Sequence, residues 1–447
     1  MTATLRRGIG RLDAVALVVG SMIGSGIFIV SAESARLVGS SFGLLAVWSL
    51  AGLLTTSAAL SCAELAAMLP RAGGQYAFFR EAYGPLAGFL FGWAMFLVIQ
   101  TGTIAAVAVA FAKFLGVLFP GVSDAPWVAA GPLSLSPQRL GAIAVIGLLT
   151  ASNATGLRAG TATQNVFTVA KLAALAALAI GGLVLGRAAG APDPAGSPSF
   201  PAAMAVAAAM VGPLFSQSAW NNVTFAGEEV REPGRTLPFA LLVGCAVVTL
   251  LYVLTNAAYL RTLGLAGIAQ APSDRVGTAA AERLFGPFGG AAMAAAILVS
   301  TFGCVNGLVL SGARVSFAMA RDGLFFRPLA RVNAGGVPGN ALRLQGAWAS
   351  LLVLTGTYSQ LLKYVISADL LLYVLLVVAV VVLRRRRPEW LRPFRAPGYP
   401  WVQLGYAAAG LVLIALLLAG NPSTTWPGYV LLASGVPVYL FWRRRSP

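Results

Sequence analysis

Few side chains in this sequence could do acid–base or metal chemistry, and their positions decide which chemistry is open. No histidine occurs among the 447 residues, which removes the commonest metal ligand and the usual proton carrier near neutral pH. Proton transfer therefore falls to lysine, to a carboxyl group or to tyrosine. Lys171 lies nine residues beyond Ala162 in an apolar stretch. That is roughly 13 Å along a helix, and an ionisable group so deep in a membrane usually marks function. Asp369 is the other deeply placed charge. Glu228 and Glu229 adjoin where an apolar stretch enters a charged loop, a setting that suits an inner-gate ion-pair network with Arg231 or Arg235 better than a catalytic acid pair. Glu33, Glu64, Lys113 and Arg314 fall near the ends of apolar stretches. No pair of aspartates, serine with a base, or set of metal ligands makes a catalytic constellation. An intramembrane enzyme is disfavoured, and neither cofactor nor metal is expected.

Backbone chemistry is more prominent. Gly20-Ser-Met-Ile-Gly-Ser-Gly-Ile-Phe28 places three glycines and two serines inside a segment apolar enough to span a membrane. In hydrocarbon every N–H and C=O needs a partner, so an unwound stretch persists only where it lines a cavity. Close helix packing through Gly20 and Gly24 is the structural alternative. A second polar interruption, Phe215-Ser-Gln-Ser-Ala-Trp-Asn-Asn222, favours the cavity, because packing glycines at one position do not explain a break at another.

Elements that could position these residues follow from composition. With 58% hydrophobic and 10% charged residues and a mean hydropathy of +0.81, the chain reads as an all-α membrane protein. Twelve transmembrane helices are expected, at about 12–37, 41–69, 84–118, 139–154, 162–186, 201–228, 236–260, 284–320, 342–357, 360–383, 399–419 and 426–442. The longest connections are about 118–138, 187–200, 261–283 and 321–341. The chain reads as a single domain, with matching halves over roughly 12–186 and 201–383 and two added helices over 399–442. Both interruptions then fall in the first helix of a half, the pattern of an inverted repeat. The net charge of +17 gathers on alternate loops, which puts both termini in the cytoplasm by the positive-inside rule and argues against a nucleic-acid partner. Runs at Arg384 to Arg387 and Arg443 to Arg445 read as orientation anchors beside membrane lipid. The first apolar segment lacks a cleavage site and reads as a retained helix. Cys62, Cys245 and Cys304 all lie in expected helices, so no disulfide framework is indicated.

Several motifs recur in a specific order: Cys62-Ala-Glu-Leu, Pro70-Arg-Ala-Gly-Gly-Gln-Tyr76, Trp220-Asn221 with Phe225-Ala-Gly-Glu-Glu229, Arg235-Thr-Leu-Pro238, Tyr252-Val-Leu-Thr-Asn256, Phe302-Gly-Cys-Val-Asn-Gly307 and Ser434-Gly-Val-Pro-Val-Tyr439. With the glycine-serine break they resemble the amino acid–polyamine–organocation superfamily, and within it the L-type amino acid transporter branch. The resemblance covers nearly the whole chain. It implies a LeuT-like five-plus-five inverted repeat with helices one and six broken, and amino acid transport by alternating access. The substrate carboxylate would meet the amides of Ser25, Gly26 and Ile27. Its ammonium would meet carbonyls near Met22 and Ile23 and at Phe215 and Ser218.

By the same resemblance Phe215 is an aromatic gate, Trp220 and Asn221 follow the second break, and Cys304 lines the side-chain end of the site. Lys171 occupies the place where sodium-coupled relatives hold sodium. Ser218-Ala219 departs from two glycines usual in the branch, which narrows the pocket and favours small to medium neutral L-amino acids. Animal L-type transporters pair with a single-span glycoprotein through a cysteine after helix three. The corresponding loop, roughly Phe119 to Gln138, has none, so no disulfide-linked accessory subunit is expected. A sodium-independent secondary transporter in the plasma (inner) membrane is the leading reading, working by exchange or proton coupling. A polyamine or cationic amino acid transporter is the alternative within the superfamily, and a channel, which needs a continuous polar pore, lies outside it. Oligomeric state is left open.

Overall fold

A computed structural model describes residues 8–130, 133–155, 157–187, 202–355, 358–420 and 422–443. The expected loop at 187–200, apart from Arg187, lies outside these residues, as do Arg444 and Arg445. Helices dominate. The first expected segment is three pieces, α1 (Arg11–Met22), α2 (Gly26–Ile29) and α3 (Ser31–Val38), followed by α4 (Ser41–Met68). Next come α5 (Gln75–Tyr83), α6 (Pro85–Ala94), a π-helical turn at Met95–Ile99, α7 (Gln100–Leu118), α8 (Pro137–Thr155) and α9 (Leu157–Leu185). The later part holds α10 (Ala202–Ser216), α11 (Asn222–Phe225), α12 (Pro233–Ala269), α13 (Val276–Arg321), α14 (Gly339–Thr355) and α15 (Tyr358–Arg386). It ends with α16 (Trp401–Gly420), α17 (Pro422–Ala433) and α18 (Gly435–Arg443). Among the described residues, seven helices are long and apolar enough to cross a membrane. The chain is thus a helical integral membrane protein.

Local sequence sets the boundaries. Gly39 ends α3 at φ +62°, the left-handed conformation that glycine adopts without a Cβ clash. The Ser40 hydroxyl then accepts from the Gly43 amide at 3.0 Å and caps α4. Pro85 starts α6, where its missing N–H costs nothing. The expected connection at 261–283 is corrected: α12 continues to Ala269 through a kink at Gly264, and α13 begins at Val276 with a kink at Gly286. Hydropathy falls there while helix propensity does not. The loop after α7 carries a two-stranded antiparallel hairpin, β1 (Val128–Ala130) with β2 (Leu133–Leu135), in register Val128 to Leu135. Helix α5 was read only as motif and connection, because its nine residues cannot span a bilayer.

Helix α12 packs against α4, α9 and α1, while α13 packs against α7 and α9. These contacts surround α1 and α2. The buried core there is built from small and branched residues, including Ala14, Val18, Val107 and Ile297.

Candidate functional site

Helix α1 stops at Met22 because Ile23 turns extended, at φ −77° and ψ 92°. The Ile23 amide still reaches the Val19 carbonyl at 2.9 Å, leaving the carbonyls of residues 20 to 23 without helical partners. Each is met by a side chain from another helix. Lys171 Nζ, on α9 and 1% exposed, donates to the Gly20 carbonyl at 2.6 Å and the Ile23 carbonyl at 2.8 Å. Cys304 Sγ of α13 reaches the Ser21 carbonyl at 3.3 Å. Tyr252 of α12 donates to the Met22 carbonyl at 3.0 Å. Ser300 contributes twice, its hydroxyl donating to Ile23 and its carbonyl accepting from Lys171, both at 3.4 Å.

This arrangement places an ammonium group at the negative end of the α1 dipole, where a cation is stabilised by up to about 2 kcal/mol in partly buried settings. Carbonyl partners also offset part of the desolvation cost of a buried charge. The second half of the break begins at α2, where the amides of Gly26 and Ile27 have no hydrogen-bond partner among the described residues.

The second interruption comes between Ser216 and Asn222. Ser218 folds back, its amide and hydroxyl both donating to the Phe215 carbonyl, at 3.0 and 2.7 Å. Ala219 takes φ +65°, a left-handed conformation that an L side chain resists. The two breaks touch: a Cβ built on Gly26 would lie 2.1 Å from Ser216 Oγ and 3.0 Å from its Cα. Gly24 likewise faces Cys304 Sγ, at 3.1 Å from a built Cβ.

Met22, Ile23, Ser25, Gly26, Ile27, Lys171 and Cys304 therefore gather at one place, and Ser216, between Phe215 and Ser218, meets Gly26 there; Ser218 itself lines a small cavity with Thr55, Trp220 and Asp369. Trp220 and Asn221 are turned to other partners. Trp220 stacks on Tyr373 of α15, ring centroids 5.3 Å apart, and Asn221 Nδ2 donates to Gln75 Oε1 of α5 at 2.9 Å. The roles of Tyr252 and Ser300 were not read from sequence. A tyrosine and a serine in apolar helices were the available signal, and nothing local names the carbonyls they would cap.

On the side of α5 and the α4 end, ion pairs join the elements. Glu229 accepts from Arg314 Nε at 2.7 Å and Nη2 at 3.0 Å, a buried two-point pair. Arg321 lies 3.9 Å from Glu228. The expected partners Arg231 and Arg235 are thus corrected to two arginines of α13, one of them buried, which separation in sequence concealed. Buried Glu64 accepts from Arg384 at 2.9 and 2.6 Å, so the basic run ties α15 to α4 as well as carrying charge. Asp322, at the end of α13, accepts from Tyr76 at 2.7 Å and from Arg80. Burial, with the hydrogen bond and charge of Asp322, pushes the Tyr76 hydroxyl well above its ordinary pKa, so it remains a donor.

The profile of the amino acid permease family matches residues 9–441, nearly the whole chain. The chain belongs to the amino acid permease family. It is 31% identical over 451 residues to the serine/threonine exchanger SteT of Bacillus subtilis (strain 168), covering 99% of this chain and 98% of the relative. The human b(0,+)-type amino acid transporter 1 is 30% identical over 424 residues, covering 93% of this chain and 84% of the relative. Human Asc-type amino acid transporter 1 is 30% identical over 456 residues, covering 99% and 82%. The family fixes the class of activity: the protein is an amino acid transporter of the L-type branch and not an enzyme.

Proposed function

We propose a sodium-independent secondary transporter that carries small to medium neutral L-amino acids across the plasma membrane by alternating access. The observation that carries this reading is the Lys171 ammonium on the Gly20 and Ile23 carbonyls. It puts a fixed positive charge where a bound cation would otherwise hold the broken helix. The substrate carboxylate is received by the amides of Ser25, Gly26 and Ile27. Its ammonium is received by the open lone pair of the Met22 carbonyl and by the Ser218 carbonyl, and it replaces the longer of the two contacts on Ile23 and on Phe215, from the Ser300 hydroxyl and the Ser218 amide. Phe215 closes over it, and Cys304 borders its side chain. Trp220 and Asn221 hold the far end of the second break through Tyr373 and Gln75.

The reading takes the twelve segments as twelve crossings, arranged as a five-plus-five repeat in one domain with two added helices and cytoplasmic termini. The Glu229–Arg314 pair then closes the cytoplasmic side in this conformation. The Bacillus relative's description as a serine/threonine exchanger supports a small neutral substrate. Reconstituted uptake of labelled alanine, serine, leucine and arginine into loaded and empty vesicles, with sodium or choline outside, tests all of this. Saturable, sodium-insensitive uptake favouring the neutral substrates is expected. Strong preference for arginine, or strict sodium dependence, refutes it.

A further inference from the structure

Asp369 takes no part in the site just described, yet its surroundings are specific. It is 4% exposed, well inside α15, and lines a cavity of about 20 Å³ behind the second break. Thr55 of α4, Gln217, Ser218 and Trp220 of the break, Tyr373 of α15 and Tyr406 of α16 share that wall. Tyr373 hydrogen-bonds the Asp369 carboxyl group. Among the described residues no lysine or arginine pairs with it. The titratable groups facing it are the two tyrosines, with the buried thiol of Cys62 on α4 nearby; its other neighbours are neutral.

A carboxylate whose polar neighbours are hydroxyl and amide groups, on a wall completed by Ala58, Leu214, Ile366 and Leu370, keeps a negative charge at a large desolvation cost. A compensating cation must therefore enter. The space is on the scale of ordered water, too small for a substrate ammonium group together with its carbon chain. Sodium would fit a water-sized space too, but in the reading above the Lys171 ammonium stands in for it, which leaves a proton as the cation.

We propose that Asp369 is the proton-coupling site of this transporter. The carboxylate takes a proton from water in the cavity to become the neutral acid, and returns it to water later in the cycle. No other bond changes. The link to substrate runs through short contacts: Asp369 bonds Tyr373, Tyr373 stacks on Trp220, and the adjoining Asn221 bonds Gln75. Ser218, on the cavity wall, donates to the Phe215 carbonyl, the group assigned above to the substrate ammonium. The charge state of Asp369 thereby biases the position of the second break.

This inference rests on the amino acid transport reading, and the experiment separates the two. Wild type, Asp369→Asn and Asp369→Glu are reconstituted in vesicles containing a pH-sensitive dye. Alanine is added outside, and counterflow is measured in alanine-loaded vesicles from the same preparation. Wild type should acidify the lumen as alanine enters. Asp369→Asn should lose acidification and stimulation by a pH gradient while retaining counterflow, and Asp369→Glu should restore acidification. Equal acidification in wild type and Asp369→Asn overturns the proposal, as does its absence in wild type that performs counterflow. Loss of counterflow in both variants as folded, monodisperse proteins reduces Asp369 to a packing group and overturns it too. Uptake driven by sodium and lost in Asp369→Asn reassigns the cavity to sodium. Wild type that moves no amino acid refutes the transport reading instead.

Discussion

Ala219 shows how one backbone angle converts a sequence oddity into a measurable quantity. An L residue at φ +65° carries about 1–2 kcal/mol of steric cost, and the branch this chain resembles usually has glycine there. Ala219→Gly should therefore stabilise the purified protein, by about 1 kcal/mol once the extra freedom of the unfolded chain is subtracted, seen as a raised thermal midpoint. A lowered midpoint would mean that the methyl group packs favourably enough to offset the strain. Lys171 makes a sharper case, because its ammonium satisfies two carbonyls that helix α1 leaves open. Lys171→Ala leaves the buried Gly20 carbonyl unpaired at about 1–3 kcal/mol and Ile23 with only the long Ser300 contact, so transport should fall to near background, and sodium should not replace the lost charge. An alanine variant with unchanged rate would make Lys171 an ordinary packing residue. The depth of Lys171 was legible from counting residues along an apolar stretch. The capping by Tyr252 and Ser300 was not, since a hydroxyl in an apolar helix does not announce which carbonyl, more than two hundred residues away, it will meet.

At the scale of elements, the two breaks are one object. Gly26 and Ser216 leave no room for a Cβ between them, so Gly26→Val should push α2 off α10 and abolish substrate binding. Gly26→Ala should be milder, and adding Ser216→Gly should recover part of the lost uptake because the closest contacts are with the serine side chain. Failure of the pair to interact in such a cycle would show that the breaks move independently. The Glu229–Arg314 pair behaves differently. Removing one partner strands a buried charge at about 3–5 kcal/mol, whereas replacing both with apolar residues of similar volume is often neutral. Glu229→Met or Arg314→Met alone should thus lower the thermal midpoint markedly, and the double variant should recover most of it. Hydropathy made helix positions readable; the caps at Gly39, Ser40 and Pro85 became identifiable only with the structure, although their residue types suit helix ends. The pairing of Glu229 with α13 was hidden because the nearer Arg231 and Arg235 satisfy any local rule equally well. Helix α5 was hidden because it is short and amphipathic, a pattern also compatible with a polar connection.

For the whole molecule, the question is whether this chain suffices by itself. All three cysteines are buried and free, and the connection between α7 and α8, where the resemblance to animal L-type transporters would put a linking cysteine, has none. A noncovalent partner would still need a surface that this chain leaves incomplete. The broken helices instead find their capping groups within the chain, from α9, α12 and α13. The ion pairs that close one end of the bundle also come from within it. Since the residues proposed to bind substrate, to replace sodium and to gate access all belong to one polypeptide, the purified protein should transport without any second subunit. Reconstitution from a homogeneous preparation checks this directly, with saturable counterflow as the expected result. If uptake appears only when a second polypeptide is supplied, the contacts within the chain stabilise the fold but do not complete the machine.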